Sequence, residues 1–230
     1  MTPRHRPPQA LRLTSALFLA LASSGAPAAR PFVTDDARIV DRGGCQIESF
    51  VKRDNSGRGE FWFLPACNPL GRVELTAGGL RERSASETDS VSILQAKTLL
   101  KPLEMNGAGF ALTLGALRRN SSAGPAYWSP FLNAIASRSF AEDRWVLHAN
   151  AGVLDERSGH RALHTWGVGA EIALTGQLYA ILETYGQELE PQSRQLGVRY
   201  WIIPNRFQVD STLGWQHAAS WLSVGVRILF

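Results

Sequence analysis

After its first 28 residues the chain has no apolar stretch that is both long enough and charge-free enough to be a membrane-spanning helix, which needs about 20 such residues. A helical membrane protein is excluded on that ground. Cysteine is scarce, with 2 in the whole chain and no histidine near either, so a thiolate metal centre is not expected; no cofactor is expected either. There is no low-complexity tract, no run of like charge and no Pro/Gly/Ser linker, so one domain is expected. Excess charge is also missing. Lys and Arg number 24 against 20 Asp and Glu, a formal +4, and Arg4, Arg6 and Arg12 fall within the first 28 residues, which leaves about +1 for the remainder. Nucleic acid is not an expected partner.

What is present begins with a secretory signal. Arg4, Arg6 and Arg12 supply a positive start, Leu13 to Ala22 a short apolar core, and Ala26-Pro27-Ala28 a small-residue cleavage site, with Ala29 the neighbouring option. The expected plan is a signal peptide over 1–28, a periplasmic or lumenal segment over 29–42, and a β-barrel over 43–230.

The barrel expectation rests on a period of two. The last strand runs from Trp221 to Phe230 with Leu222, Val224, Val226, Ile228 and Phe230 on one face. Ser223, Gly225 and Arg227 lie on the other, with Leu229 as the exception. About twelve such segments, each roughly 10 to 13 residues, fall near 43–53, 58–67, 71–82, 90–101, 107–119, 126–138, 143–155, 162–174, 178–187, 193–203, 206–216 and 219–230. Turn chemistry separates them, as at Asn55-Ser56-Gly57, Asn106-Gly107, Thr175-Gly176 and Pro204-Asn205. Residues 91–104 also fit a helical stripe, but Pro102 and the neighbouring rhythm favour a strand. The expected fold is all-β: an antiparallel transmembrane barrel of about 12 strands in the outer membrane. Segments 83–89, 120–125, 156–161 and 188–192 are polar and are expected outside, with tight periplasmic turns between them. Aromatics fit the membrane boundary: Phe61, Trp62 and Phe63, then Tyr200 and Trp201, then Trp215 and Trp221. Glycines within GVGAE (167–171) are read as relief where strands curve.

Turn geometry then aligns charges. A two-residue turn at Pro204-Asn205 puts Ile203 opposite Arg206 and Arg199 opposite Asp210. A turn at Ala218-Ala219 puts Asp210 opposite Arg227, and one centred on Pro191 puts Glu183 opposite Arg199. The resulting row, Glu183, Arg199, Asp210, Arg227, alternates in sign. Because a lipid-facing Arg costs about 2–4 kcal/mol at mid-depth, the row is expected in the lumen, as a brace or as a solute filter. Lys97, Asn150 and Glu171 are further lumen candidates. Cys45 and Cys67 are symmetric about Ser56, so an unbulged first hairpin sets them face to face and a disulfide is expected in an oxidising compartment.

The chain opens its post-signal region Arg30-Pro31-Phe32-Val33-Thr34-Asp35-Asp36-Ala37. This PFVTDDA string resembles the outer-membrane family labelled "MetA-pathway of phenol degradation". Echoes run on through His148-Ala149-Asn150-Ala151-Gly152, Trp166 to Glu171, Glu183-Thr184-Tyr185-Gly186, and Leu196 to Trp201 followed by Val209-Asp210. The resemblance implies a membrane channel or transporter for small, often aromatic, compounds, with Pro31, Phe32, Thr34, Asp35 and Asp36 as its N-terminal motif. It also implies recognition of the C-terminal strand, ending in Phe230, by barrel assembly machinery. The cysteine pair is not part of that pattern.

The expected partners are therefore outer-membrane lipid, the assembly machinery and a small-molecule solute. A structural or adhesive barrel with a filled lumen is the alternative. An outer-membrane lipid-modifying enzyme is the less favoured one: His148 has Asn150 two residues on but no Ser to complete a nucleophile–base pair on that face. His160, His164 and His217 fall in or beside loops.

Overall fold

The computed structural model describes residues 32–84, 88–120, 125–157 and 160–230. The expected signal peptide and Pro31 lie outside the described residues, as does most of the expected outer segment 120–125. Twelve strands follow in order: β1 (Cys45–Asp54), β2 (Gly59–Cys67), β3 (Val73–Arg83), β4 (Thr88–Lys101), β5 (Ala108–Asn120), β6 (Trp128–Phe140), β7 (Trp145–Glu156), β8 (Arg161–Ala173), β9 (Leu178–Gln187), β10 (Ser193–Ile203), β11 (Phe207–Gln216) and β12 (Ala219–Leu229). Each pairs antiparallel with its neighbours in sequence, and β12 returns to β1, so the sheet closes with no free edge. At the seam the Cys45 N–H donates to the Phe230 carbonyl at 2.7 Å and the Phe230 N–H to the Cys45 carbonyl at 2.9 Å.

The burial pattern is inverted relative to a soluble protein. Leu114, Leu222, Val51 and Phe230 are exposed, at 63, 54, 54 and 69%, while Arg199, Arg227, Gln208 and Asp210 are at most 2% exposed. The described residues hold one small apolar core cluster, Ala37, Ala111 and Ile135 with Leu99 against it. A closed sheet with an apolar outer face and a polar interior is stable only with hydrocarbon around it. Residues 91–101 are strand, as expected. Outward aromatics gather near both ends: Trp128, Trp166 and Trp215 toward one, Phe110, Phe140, Trp145 and Tyr200 toward the other.

Several expectations need correcting. Trp62, Trp201 and Trp221 are not boundary residues. They fall on the inward half of the alternation, where Trp201 and Trp221 are 3 and 7% exposed and Trp62 stacks on Phe50 at 5.3 Å. Loop lengths do not alternate either: four residues separate β3 from β4, and four also separate β8 from β9.

Turn details shift three registers. Ile203 opposes Phe207, not Arg206, because a bulge lies between Trp201 and Ile203; Arg199 still opposes Asp210. The last hairpin turns at His217-Ala218, so Asp210 opposes Gly225 and Arg227 opposes Gln208. Gln195, not Arg199, opposes Glu183. The last two shifts are of even length, so every affected side chain keeps its face.

Cys45 opposes Cys67 and the two are bonded. Both lie on the outward half of their strands' alternation, at the end of the barrel that holds Phe230. Their sequence separation of 22 residues implies about 3 kcal/mol of stabilisation in the chain-entropy model. Unreduced, denatured protein should therefore titrate no free thiol, and Cys45→Ser with Cys67→Ser should lower unfolding stability by about that amount. Two titratable thiols would contradict the bridge.

Candidate functional site

The inward faces of the strands are densely polar, and they are occupied by the chain itself. Residues 32–40 form a strap inside the barrel. It is anchored by hydrogen bonds from its backbone N–H groups to wall side chains, because an extended segment with no strand partner must satisfy those groups some other way. The N–H groups of Val33 and Thr34 donate to the Glu183 carboxylate at 2.9 and 2.8 Å. That of Asp35 donates to Asn150 Oδ1 at 2.6 Å, while Asn150 Nδ2 donates back to the Asp35 carbonyl at 2.8 Å. Ala37 N–H donates to Ser137 Oγ at 2.9 Å, and Val40 N–H to Glu74 Oε2 at 2.8 Å. Asn68, in the β2–β3 turn, donates Nδ2–H to the Val40 carbonyl at 2.7 Å.

Two glycines make room for the strap. A Cβ at Gly167 would lie 2.7 Å from Thr34 Oγ1, and one at Gly169 would run into the Phe32 ring. The glycines of GVGAE thus form the seat of the strap, a use that the reading of curvature relief did not anticipate. The Phe32 ring packs edge-on to His148 at 5.8 Å.

Charge pairs join strap to wall. Lys97 Nζ lies 2.7 Å from Asp35 Oδ1 and 3.3 Å from Asp36 Oδ1. Arg38 Nη1 lies 3.4 Å from Asp36 Oδ2 and 3.3 Å from Glu171 Oε2. Burial works against the Arg38 charge, but Glu171 and Asp36 outweigh it and raise its pKa above the usual guanidinium value. Glu171 also takes Arg199 Nη1 at 2.7 Å, and Arg199 Nε reaches Asp210 Oδ1 at 2.9 Å. Gln208 Nε2 donates to the other Asp210 oxygen at 2.9 Å.

The four-member row expected from the sequence is therefore only partly assembled. Arg199 and Asp210 meet. Glu183 is committed to the strap and to Gln195 instead. Arg227 bonds to Gln46 at 2.7 Å and lies 3.6 Å from Glu48. Glu171 carries the role that the sequence reading gave to Glu183. Its inward position was legible, but its pairing was not, because long Arg side chains reach diagonally across strands.

One further juxtaposition corrects the sequence reading. A Ser does stand beside His148: Ser137 Oγ is 2.8 Å from Nδ1, and Nε2 is 3.8 Å from Glu171 Oε1. The residues are those of an acyl-transfer triad, but the surroundings are wrong for one. All three are nearly fully buried, the strap covers the Ser hydroxyl, and Glu171 is held by two guanidinium groups. The geometry is that of a packed anchor, with no place for an acyl group.

The strap divides the lumen unequally. Beside it, a cavity of about 30 Å³ remains between Phe32, Asp35, Gln46, Glu74 and Lys97, room for roughly one or two waters. Toward the end of the barrel where β1 finishes and β2 begins, the lumen opens into a vestibule of about 410 Å³. Val33 and Thr34 form its floor, and Trp62, Ile93, Leu117, Phe131, Tyr185, Gln95, Asn133 and Gln187 are among its lining. Apolar and aromatic groups with a few amides are the usual lining of a small-molecule site.

The model of a family described as Uncharacterised conserved protein UCP029691 matches residues 16–230. No curated protein matches the sequence. Among solved structures the chain is similar to the KdgM porin, at 10% identity and a TM-score of 0.59 over 80% of this chain and 98% of that one. It is similar to the NanC porin at 10% identity and a TM-score of 0.58, over 79 and 98%. It is also similar to outer membrane phospholipase A from Escherichia coli, at 12% identity and a TM-score of 0.50, over 87 and 93%. At such identities the likeness shows the fold, which is that of the outer-membrane β-barrels.

Proposed function

The chain belongs to the family described as Uncharacterised conserved protein UCP029691, and we propose that it is an outer-membrane channel for small, partly apolar solutes, closed at mid-height by its own strap. The observation that carries this reading is the division of the lumen. A vestibule of about 410 Å³ with a mixed aromatic and amide lining stands over the strap, beside which a cavity of about 30 Å³ remains. A solute enters the vestibule, and passage requires the strap to leave its seat. Hydrogen bonds from side chains, rather than a β-ladder, hold most of the strap, so it is the part of the interior that can move without opening the barrel. The resemblance of residues 30–37 to the family labelled "MetA-pathway of phenol degradation" supports monoaromatic compounds as the first solutes to try. In this reading the signal over 1–28 is removed on export, and assembly machinery engages the last strand through Phe230.

The test is uptake into liposomes by the reconstituted protein, comparing small sugars, amino acids and monoaromatic compounds. Monoaromatic uptake should exceed that of sugars of similar mass. No uptake of any class, in a barrel shown to be folded, would favour the second reading, a structural barrel with a filled lumen. The number of bonds that hold the strap is what supports that alternative.

A further inference from the structure

The outward face is not uniform around the rim at which β1 ends and β2 begins. Trp128, Trp166 and Trp215 mark the boundary on β6, β8 and β11, whereas on β1, β3 and β5 the comparable outward places are taken by Arg53, Arg81, Arg83 and Arg118, all exposed. A lipid-facing Arg is costly at mid-depth and nearly free at the interface, so this level of the wall meets polar headgroups. The carboxylates of the same region, Asp54, Glu60, Glu82 and Asp89, lie on the inward half of the alternation and pair with Arg58, Lys52 and Arg119. Among the described residues, none of the four outward arginines has a carboxylate partner.

The register makes a cradle of three of them. Arg53 and Arg83 both oppose Gly59, from either side, so two guanidinium groups flank a position with no side chain. The two Cα positions are two strand spacings apart, about 10 Å, a gap that two long side chains can close on one ligand. Arg81 opposes Phe61, which opposes Val51; Phe61 and Val51 are 51 and 54% exposed. These residues line a concave outer surface of about 780 Å³. Three cations with no carboxylate partner among the described residues, set above an apolar floor, call for an occupant that is anionic at one end and hydrocarbon at the other. Guanidinium groups pair with phosphate oxygens in bidentate fashion.

We propose that this face binds a phosphorylated lipid of the surrounding leaflet, with its phosphate held by Arg53, Arg81 and Arg83 and its acyl chains lying over Val51 and Phe61. The site is independent of the lumen and of what passes through it.

Purified barrel in detergent micelles, titrated with bisphosphorylated lipid A and read by native mass spectrometry, tests the proposal. Wild-type protein should retain the lipid, and its dephosphorylated form should bind far more weakly. The triple variant R53Q/R81Q/R83Q should bind roughly a hundredfold more weakly, at about 1 kcal/mol per basic residue. R194Q, an outward arginine on β10, should bind as wild type does. Millimolar inorganic phosphate should not displace the lipid. Equal binding of phosphorylated and dephosphorylated lipid by the wild type would overturn the proposal without recourse to any variant. So would a triple variant, intact by heat-modifiable mobility, that binds normally, or displacement by phosphate alone, which would mark a free-anion site.

Discussion

Glu171→Ala should lower the temperature at which the barrel loses its folded, heat-modifiable mobility more than removal of any other lumenal carboxylate. Glu171 is 4% exposed and accepts from Arg199 at 2.7 Å and Arg38 at 3.3 Å. Its loss leaves two buried guanidinium groups sharing what remains, Asp210 and Asp36. Breaking a buried pair from one side costs about 3–5 kcal/mol, because desolvation stays while the attraction goes. Asp210→Ala removes one Arg contact rather than two and should cost less. Pairing the change with a neutral partner, as in Glu171→Ala with Arg199→Met, should recover part of the loss. Glu171→Ala should also loosen the strap, since Arg38 belongs to it. Unchanged heat resistance in Glu171→Ala would show that the charge network does not brace the wall.

The second large effect concerns conduction. Replacing residues 32–40 with a flexible Gly-Ser segment should convert the strap-filled constriction, where a cavity of about 30 Å³ remains, into an open lumen and raise liposome uptake from a low, solute-selective rate to a high, unselective one. The wall around the strap would then present Glu48, Glu74, Glu171, Glu183 and Asp210 against Lys97, Arg199 and Arg227, an excess of carboxylates that favours cations over anions. Single-channel currents with a reversal potential shifted toward the cation check it. No current from a folded strap-less barrel would mean that wall side chains alone fill the lumen.

Much of this architecture was legible because a barrel wall imposes a period of two on every strand, and lipid on one side makes that period sharp. Leu222, Val224 and Ile228 declared their face, and so did Arg227. The Arg199–Asp210 pairing was legible too, because the bulge at Ile202 lies beyond it and leaves that stretch of the ladder in register. The partners of Glu183 and Arg227 were not, since a loop that turns one or two residues earlier slides the pairing by two or four while preserving the face. The Ser137–His148 contact needs the β6–β7 register. That turn contains no Gly, Pro or Asn to announce it, only Ala141, Glu142 and Asp143 at φ of 50, 58 and 63°. The strap was the least legible part. Its residues carry no periodic signal, and their seat is made of side chains from eight different places in the sequence. Only the resemblance of PFVTDDA to a known family drew attention to it, and the resemblance did not say where it lies.

Whether solute passes only when the strap moves is decided by tying the strap down. Ala37 N–H donates to Ser137 Oγ at 2.9 Å and both residues are small, so A37C/S137C is the pair with which to bridge strap to wall, its oxidation verified by the absence of free thiol. Uptake of a monoaromatic probe into liposomes is then measured before and after reduction, with wild-type protein controlling for reduction of the Cys45–Cys67 bridge. Background uptake is expected in the oxidised double variant, with recovery to the wild-type rate on reduction. Equal, measurable uptake in both states would contradict this expectation, because solute would then be crossing the barrel past a strap that cannot leave its seat.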